Sequence, residues 1–143
     1  MKPVVAEGRC LCGRVRYKVV GLPRSVSICH CRSCRLGSGA PAVSWFVISR
    51  NQYELLAGEL AQFQSSPPVT RGFCRTCGTP LTYEHEDAPS AIEITTATLS
   101  DPESFVPTKE IWLSEKLPWV SPDPSREHFP RGSHEAGADA AGA

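Results

Sequence analysis

Apolar side chains fall on alternate positions in short runs along this chain: Val15, Tyr17 and Val19, then Val26 and Ile28, then Val43, Trp45 and Val47. Leu60 and the pair Ile92 and Ile94 open later runs. A period of two puts one set of side chains on a single face of an extended backbone, so each run predicts a strand. Between the runs lie turn-forming stretches at Gly21-Leu22-Pro23 and at residues 37–41, 65–68 and 100–102. These recur too closely for long helices. The pattern predicts a mainly β domain of antiparallel strands with little helix, with one short helical turn around residues 31–37 and another near 101–105. From Pro118 the alternation fades, and Pro122, Pro124 and Pro130 precede a Gly- and Ala-rich end. The expected division is an ordered domain over residues 1–120 and a flexible tail over 121–143.

At 143 residues the chain fits one domain. A domain of this size buries a smaller share of its surface than a large one, so cross-linking helps it. Fifteen Lys and Arg balance 15 Asp and Glu, which leaves no basic footprint for nucleic acid. No stretch approaches the ~20 apolar residues of a membrane span, and the N-terminus has no apolar run long enough for a secretion signal. The expectation is a cytoplasmic protein with no nucleic-acid or membrane partner; the sequence assigns no oligomeric state. In a reducing compartment clustered cysteines read as metal-binding or catalytic rather than as disulfides, and the odd count of seven points the same way.

All seven cysteines lie in three short clusters: Cys10 and Cys12 before Gly13, then Cys29, Cys31 and Cys34, then Cys74 and Cys77 before Gly78. Core cysteines are usually scattered, so complete clustering needs a chemical cause, and metal ligation supplies one. A Cys-x-x-Cys turn closed by Gly points two thiolates at one ion. Cys10 and Cys12 would share a face of an extended segment. Two such pairs make a closed four-cysteine site that ties distant parts of the chain together. The middle cluster can form a tripod, and three protein ligands leave a fourth position for water or substrate. Spacing also admits a four-cysteine site made from the middle cluster and one other cysteine, or a single site with spare thiols. His30 could close the tripod, but between Cys29 and Cys31 on extended backbone its side chain points away from theirs, which favours a place behind the ligands or a proton-donor role. Arg32, Arg35 and Arg75 are the neighbouring cations that could offset the negative charge of three thiolates on a divalent ion. Trp45, Phe46, Phe63, Phe73, Trp112 and Trp119 read as core or pocket wall.

With these clusters laid out, the chain resembles the glutathione-dependent formaldehyde-activating enzyme family, which includes the centromere-protein-V-like proteins. The matching residues are Gly8-Arg9-Cys10-Leu11-Cys12-Gly13 with Val15 and Tyr17, Cys29-His30-Cys31-Arg32-Ser33-Cys34-Arg35, Phe73-Cys74-Arg75-Thr76-Cys77-Gly78-Thr79, and Ile111-Trp112 with Lys116, Pro118 and Trp119. The resemblance implies a β-tent, or Mss4-like, fold of antiparallel sheets around two zinc ions. It implies that Cys10, Cys12, Cys74 and Cys77 hold a structural zinc and that Cys29, Cys31 and Cys34 hold a catalytic one. It further implies carbon–sulfur lyase chemistry, in which a thiol such as glutathione adds reversibly to an aldehyde such as formaldehyde. The alternative is a non-catalytic, zinc-stabilised protein-binding module of the same fold. No motif identifies a glutathione pocket.

Overall fold

The structure, a computed structural model, describes residues 4–133. The chain runs β1 (Val5–Arg9), β2 (Arg16–Val20), β3 (Ser25–Cys29), α1 (Arg32–Ser38), β4 (Val43–Ser49), β5 (Tyr53–Ala57), β6 (Leu60–Ser66), β7 (Val69–Cys74), β8 (Pro80–His85), β9 (Ala91–Thr95), β10 (Lys109–Ile111) and β11 (Glu127–His128). Each alternating run of the sequence lies on or enters a strand, and the two helical turns expected fall at α1 and at a single 3-10 turn over Pro102–Ser104. The fold is therefore mainly β with little helix. None of its described helices is long and apolar enough to cross a membrane.

The strands form two sheets, one of three strands in the order β1-β2-β5 and one of eight in the order β11-β10-β3-β4-β9-β8-β7-β6. Pairing is antiparallel except that β10 runs parallel to both β3 and β11. Those two pairings join segments far apart in sequence, a placement that local alternation does not encode. One core joins the two sheets: Val15, Tyr17 and Val19 meet Phe46, Ile48, Ile92 and Ile94. Phe105, from the turn after the second helical segment, stacks edge-on against Phe46 with ring centroids 4.9 Å apart.

The opposite face of the large sheet is also covered. Trp45, Tyr83 and Val69 pack there with Cys29, Cys31, Cys34 and Ile111, and Val43, Trp112 and Phe129 lean against them. Strands β4 and β9 are thus sandwiched, and β9 is buried at all five positions. Alternation predicts one wet face only for a strand whose second face meets solvent.

Residues 121–133, placed in the flexible tail by the sequence pattern, are hydrogen-bonded to the body. The Leu113 amide donates to the Phe129 carbonyl at 3.2 Å, the Trp112 amide to Arg131 at 3.0 Å, and the Phe129 amide to Glu110 at 2.9 Å. These are backbone and isolated side-chain contacts with no periodicity, so a proline-rich segment carries no local sign of them. The rest of the expected tail, from residue 134, lies outside the described residues.

Candidate metal centre

Two turns build the first cluster. The Cys10 carbonyl accepts from the Gly13 amide at 3.1 Å, and the Cys74 carbonyl accepts from the Gly78 amide at 2.8 Å. Each turn closes on a glycine in the left-handed region, Gly13 at φ 80° and Gly78 at φ 81°, where a Cβ would be strained. Cys10 and Cys12 therefore sit on a tight turn rather than on one face of an extended segment. A turn lets two nearby sulfurs converge on one point, which a flat strand does less well. The Val15 amide points at Cys10 Sγ at 3.3 Å and the Cys77 amide at Cys74 Sγ at 3.5 Å.

The sulfurs of Cys10, Cys12, Cys74 and Cys77 all lie within 4.8 Å of one another. Cys10 and Cys12 are separated by 3.6 Å and Cys12 and Cys74 by 3.7 Å. Four sulfurs about 2.3 Å from one zinc at tetrahedral angles would stand about 3.8 Å apart. The donor set and its spacing therefore fit a tetrahedral ion, and no disulfide competes for these thiols. The Cys77 thiol is lowered to about 5, first by the Thr79 hydroxyl and amide, whereas Cys12, despite a bond to the Arg14 backbone, is raised to about 11 by desolvation and the neighbouring thiols.

The second cluster assembles at the junction of β3 and α1. Cys29 ends the strand, and Cys31 caps the helix with extended backbone, its sulfur accepting the Cys34 amide at 3.3 Å. One helical turn then brings Cys34 alongside Cys31. The three sulfurs lie within 4.8 Å of one another and all three residues are buried. They share one ionisation readily. Bonds from Cys29 and Cys31, then the charge of Arg71, lower the Cys34 thiol to about 3. Cys29 is pushed well up by those same thiol bonds. Cys31 rises to about 12, the bond from Cys29 being outweighed by Cys34 and burial.

The cation at this triad is Arg71, from β7. Its guanidinium nitrogens stand 3.8 Å and 4.0 Å from Cys34 Sγ, its Nε donates to Ser65 Oγ at 3.0 Å, and it lies over the Tyr83 ring at 5.2 Å. Of the cations expected from sequence, Arg35 donates a guanidinium N–H to the Glu115 carbonyl at 3.5 Å, and Arg32 bonds the Glu115 carboxylate through its backbone amide at 2.7 Å. Sheet register explains the difference, because Arg71 pairs with Tyr83 and Tyr83 with Glu93 across three strands. Glu93 is buried, and that burial, reinforced by the charge of Cys34, raises its carboxyl well above the usual range. Between the strand face and α1 opens a cavity of about 380 Å³, with Cys34 and Arg71 in its wall beside Val43, Trp45, Phe63 and Phe73. Of the aromatics read as core or wall, Trp45 and Phe46 are buried, whereas Trp119 is exposed.

His30 lies outside the group of sulfurs at ligand distance. Its Nε2 is 2.6 Å from Glu110 Oε1, and Glu110 Oε2 accepts from Arg126 Nη1 and from the Asp123 amide, each at 2.9 Å. Burial alone would raise the Glu110 carboxyl, but these bonds outweigh it and hold it below the usual range. The other ring nitrogen of His30, Nδ1, is buried and has no hydrogen-bond partner among the described residues. The His30 amide also donates to Ile111 at 3.0 Å. This pins the backbone between Cys29 and Cys31 to β10. Arg71, Glu93, Glu110 and Arg126 escaped the sequence reading because isolated charged residues in strands and loops give no local signal.

Comparison with known proteins agrees with this architecture. A crystal structure of a Rhodobacter sphaeroides protein superimposes with a TM-score of 0.55 at 21% identity, covering 86% of this chain and 98% of that one, and so shares the fold. A Schizosaccharomyces pombe protein named an uncharacterized lyase is 29% identical over 84 residues. That match takes in 55% of this chain and spans 57% of the relative's length. The sequence profile of the glutathione-dependent formaldehyde-activating enzymes matches residues 5–115, which include both cysteine clusters, and the chain belongs to that family.

Proposed function

We propose that this protein is a zinc-dependent carbon–sulfur lyase that joins a thiol, such as glutathione, reversibly to an aldehyde, such as formaldehyde. The thiol sulfur bonds to the carbonyl carbon, the carbonyl π pair passes to oxygen, and the thiol proton ends on that oxygen. The reverse direction breaks the same carbon–sulfur bond. Family membership and the lyase name of the yeast relative support the reaction class. The observation that carries the reading is that one member of a buried three-cysteine cluster, Cys34, forms the wall of a cavity large enough for small reactants.

Cys10, Cys12, Cys74 and Cys77 hold a structural zinc in this reading, and Cys29, Cys31 and Cys34 hold a second ion. An ion at the second site supplies a Lewis-acid position at which a thiol ionises near neutral pH. Arg71 offsets the excess negative charge of the thiolates from beside Cys34. His30 acts from behind the ligands, its ring held by Glu110 and absent from the cavity wall. The new hydroxyl therefore takes its proton from water at the cavity mouth. The apolar wall excludes bulk water and positions the aldehyde, which supplies rate by proximity. A cytoplasmic setting, where thiols stay reduced, suits the cysteine chemistry.

The test is metal analysis of purified protein combined with an assay of formaldehyde loss in the presence and absence of thiol. Two zinc ions per chain and thiol-dependent loss above the uncatalysed rate are expected. Fully metallated protein that consumes no aldehyde with any thiol would leave the fold as a binding module instead.

A further inference from the structure

The cavity beside Cys34 is unusual in how little polar chemistry it offers. Val43, Trp45, Phe63, Phe73 and Pro80 supply most of the wall. The polar lining side chains besides Cys34 are Ser38, Arg71 and Thr82. Ser38 Oγ donates to the Cys34 carbonyl at 2.7 Å, and Arg71 is committed to Ser65, Cys34 and the Tyr83 ring. An ammonium drawn into such a space would lose its hydration beside a cation, whereas a hydrocarbon group would meet the apolar side chains that form most of the wall. A one-carbon aldehyde would leave most of about 380 Å³ unfilled.

Phe63 adds a second observation. It stands on β6, the edge strand of the large sheet, and is 63% exposed, yet it lines this cavity. An aromatic left on a sheet edge is an aggregation hazard unless something is built to cover it. At the rim of an apolar cavity, a bound hydrocarbon group would cover it.

We infer that one of the two reactants carries a hydrocarbon body, of the size of a phenyl or short branched alkyl group, and that this body occupies the cavity between Trp45, Phe63 and Phe73. The inference takes its reaction from the function proposed above, but the binding site stands on the cavity alone. The body has two chemical sources, which the experiment distinguishes: the aldehyde's substituent in place of hydrogen, or the thiol's substituent in place of a charged peptide. In both cases the bonds made and broken are those given above.

The experiment uses the metal-loaded full chain. One arm compares formaldehyde with phenylacetaldehyde at fixed glutathione; the other compares glutathione with benzyl mercaptan at fixed formaldehyde. In one arm the phenyl-bearing reactant is expected to show a kcat/KM at least about tenfold higher, and which arm responds identifies its source. Phe63→Ala is expected to shrink that preference at least about threefold. Binding is read separately by titrating benzyl alcohol, which cannot react, and following the amide resonances of Val43, Phe73 and Thr82. Saturable shifts that weaken in Phe63→Ala are expected. Absence of saturable shifts overturns the inference whether or not any aldehyde is consumed, and so does turnover in which formaldehyde and glutathione match or exceed both phenyl-bearing reactants. Saturable binding with no turnover by any pair supports the apolar site and sinks only the proposed reaction.

Discussion

Cys31 serves two purposes at once: its sulfur caps α1 by accepting the Cys34 amide, and it is one of three clustered thiols. Serine is a good helix cap but a poor ligand for a soft thiolate site, so Cys31→Ser separates the two. Metal content is expected to fall from two ions to one with the far-UV spectrum retained, and thiol-dependent aldehyde loss to drop at least about 100-fold. Metal analysis and the aldehyde assay on one preparation check both. Glu93 poses a different problem at the same scale, because its buried Oε2 has no hydrogen-bond partner among the described residues. A carboxyl raised by folding binds its proton more tightly in the folded chain than in the unfolded one. The stability this contributes is complete below the usual value of 4.5 and is lost as pH rises toward the folded value. Glu93→Gln keeps the shape and removes the titration. It should be more stable than the parent at pH 7 by about 1 kcal/mol or more, with the gap narrowing toward pH 5. Urea unfolding across that range measures it, and a gap that widens toward acid would contradict the burial argument.

The two glycine-closed turns are the smallest elements whose loss should be felt throughout the fold. One lies between β1 and β2 in the small sheet and the other between β7 and β8 in the large one, so their sulfurs join the two sheets. The Leu11 amide, which donates to Thr79 Oγ1 at 3.0 Å, links them further. Cys77→Ser is expected to abolish cooperative thermal unfolding, and a strong chelator should do the same to the parent chain. Circular dichroism during a thermal scan is the measurement. Retention of a sharp transition in both would show that packing between the sheets suffices without the ion. Cys31→Ser should be milder because the Cys77 turn joins the two sheets, whereas the other cluster sits within a single face of one sheet and its covering helix.

Across the whole molecule, the segment after β10 returns to cover the triad and satisfies Glu110 from residues 123 and 126. Arg126→Met deprives a buried carboxylate of its charged partner while preserving apolar bulk. A loss of about 3 kcal/mol is expected, read as a lower urea midpoint with unchanged slope. Much of this architecture was legible in the residues. Alternation marked the β2, β3, β4 and β9 runs because each has at least one face against a core, and cysteine spacing marked the three short clusters because ligation demands local convergence. No alternating run stands out at β1, β5, β7 or β8, nor at the three-residue β10 and two-residue β11, which are too short to show a period. Glu93, flanked by Ile92 and Ile94, has the pattern of a solvent-facing position, yet coverage of both sheet faces buries it. By itself, then, the sequence determined the strand-rich class and the three short cysteine clusters, since both follow from contacts over a few residues; that Cys10 and Cys12 meet Cys74 and Cys77 was decided by the fold. The tertiary structure alone decided that Arg71 is the counter-charge, that Glu110 holds His30, and that Cys34 meets an apolar cavity, because each depends on which distant strands share a register.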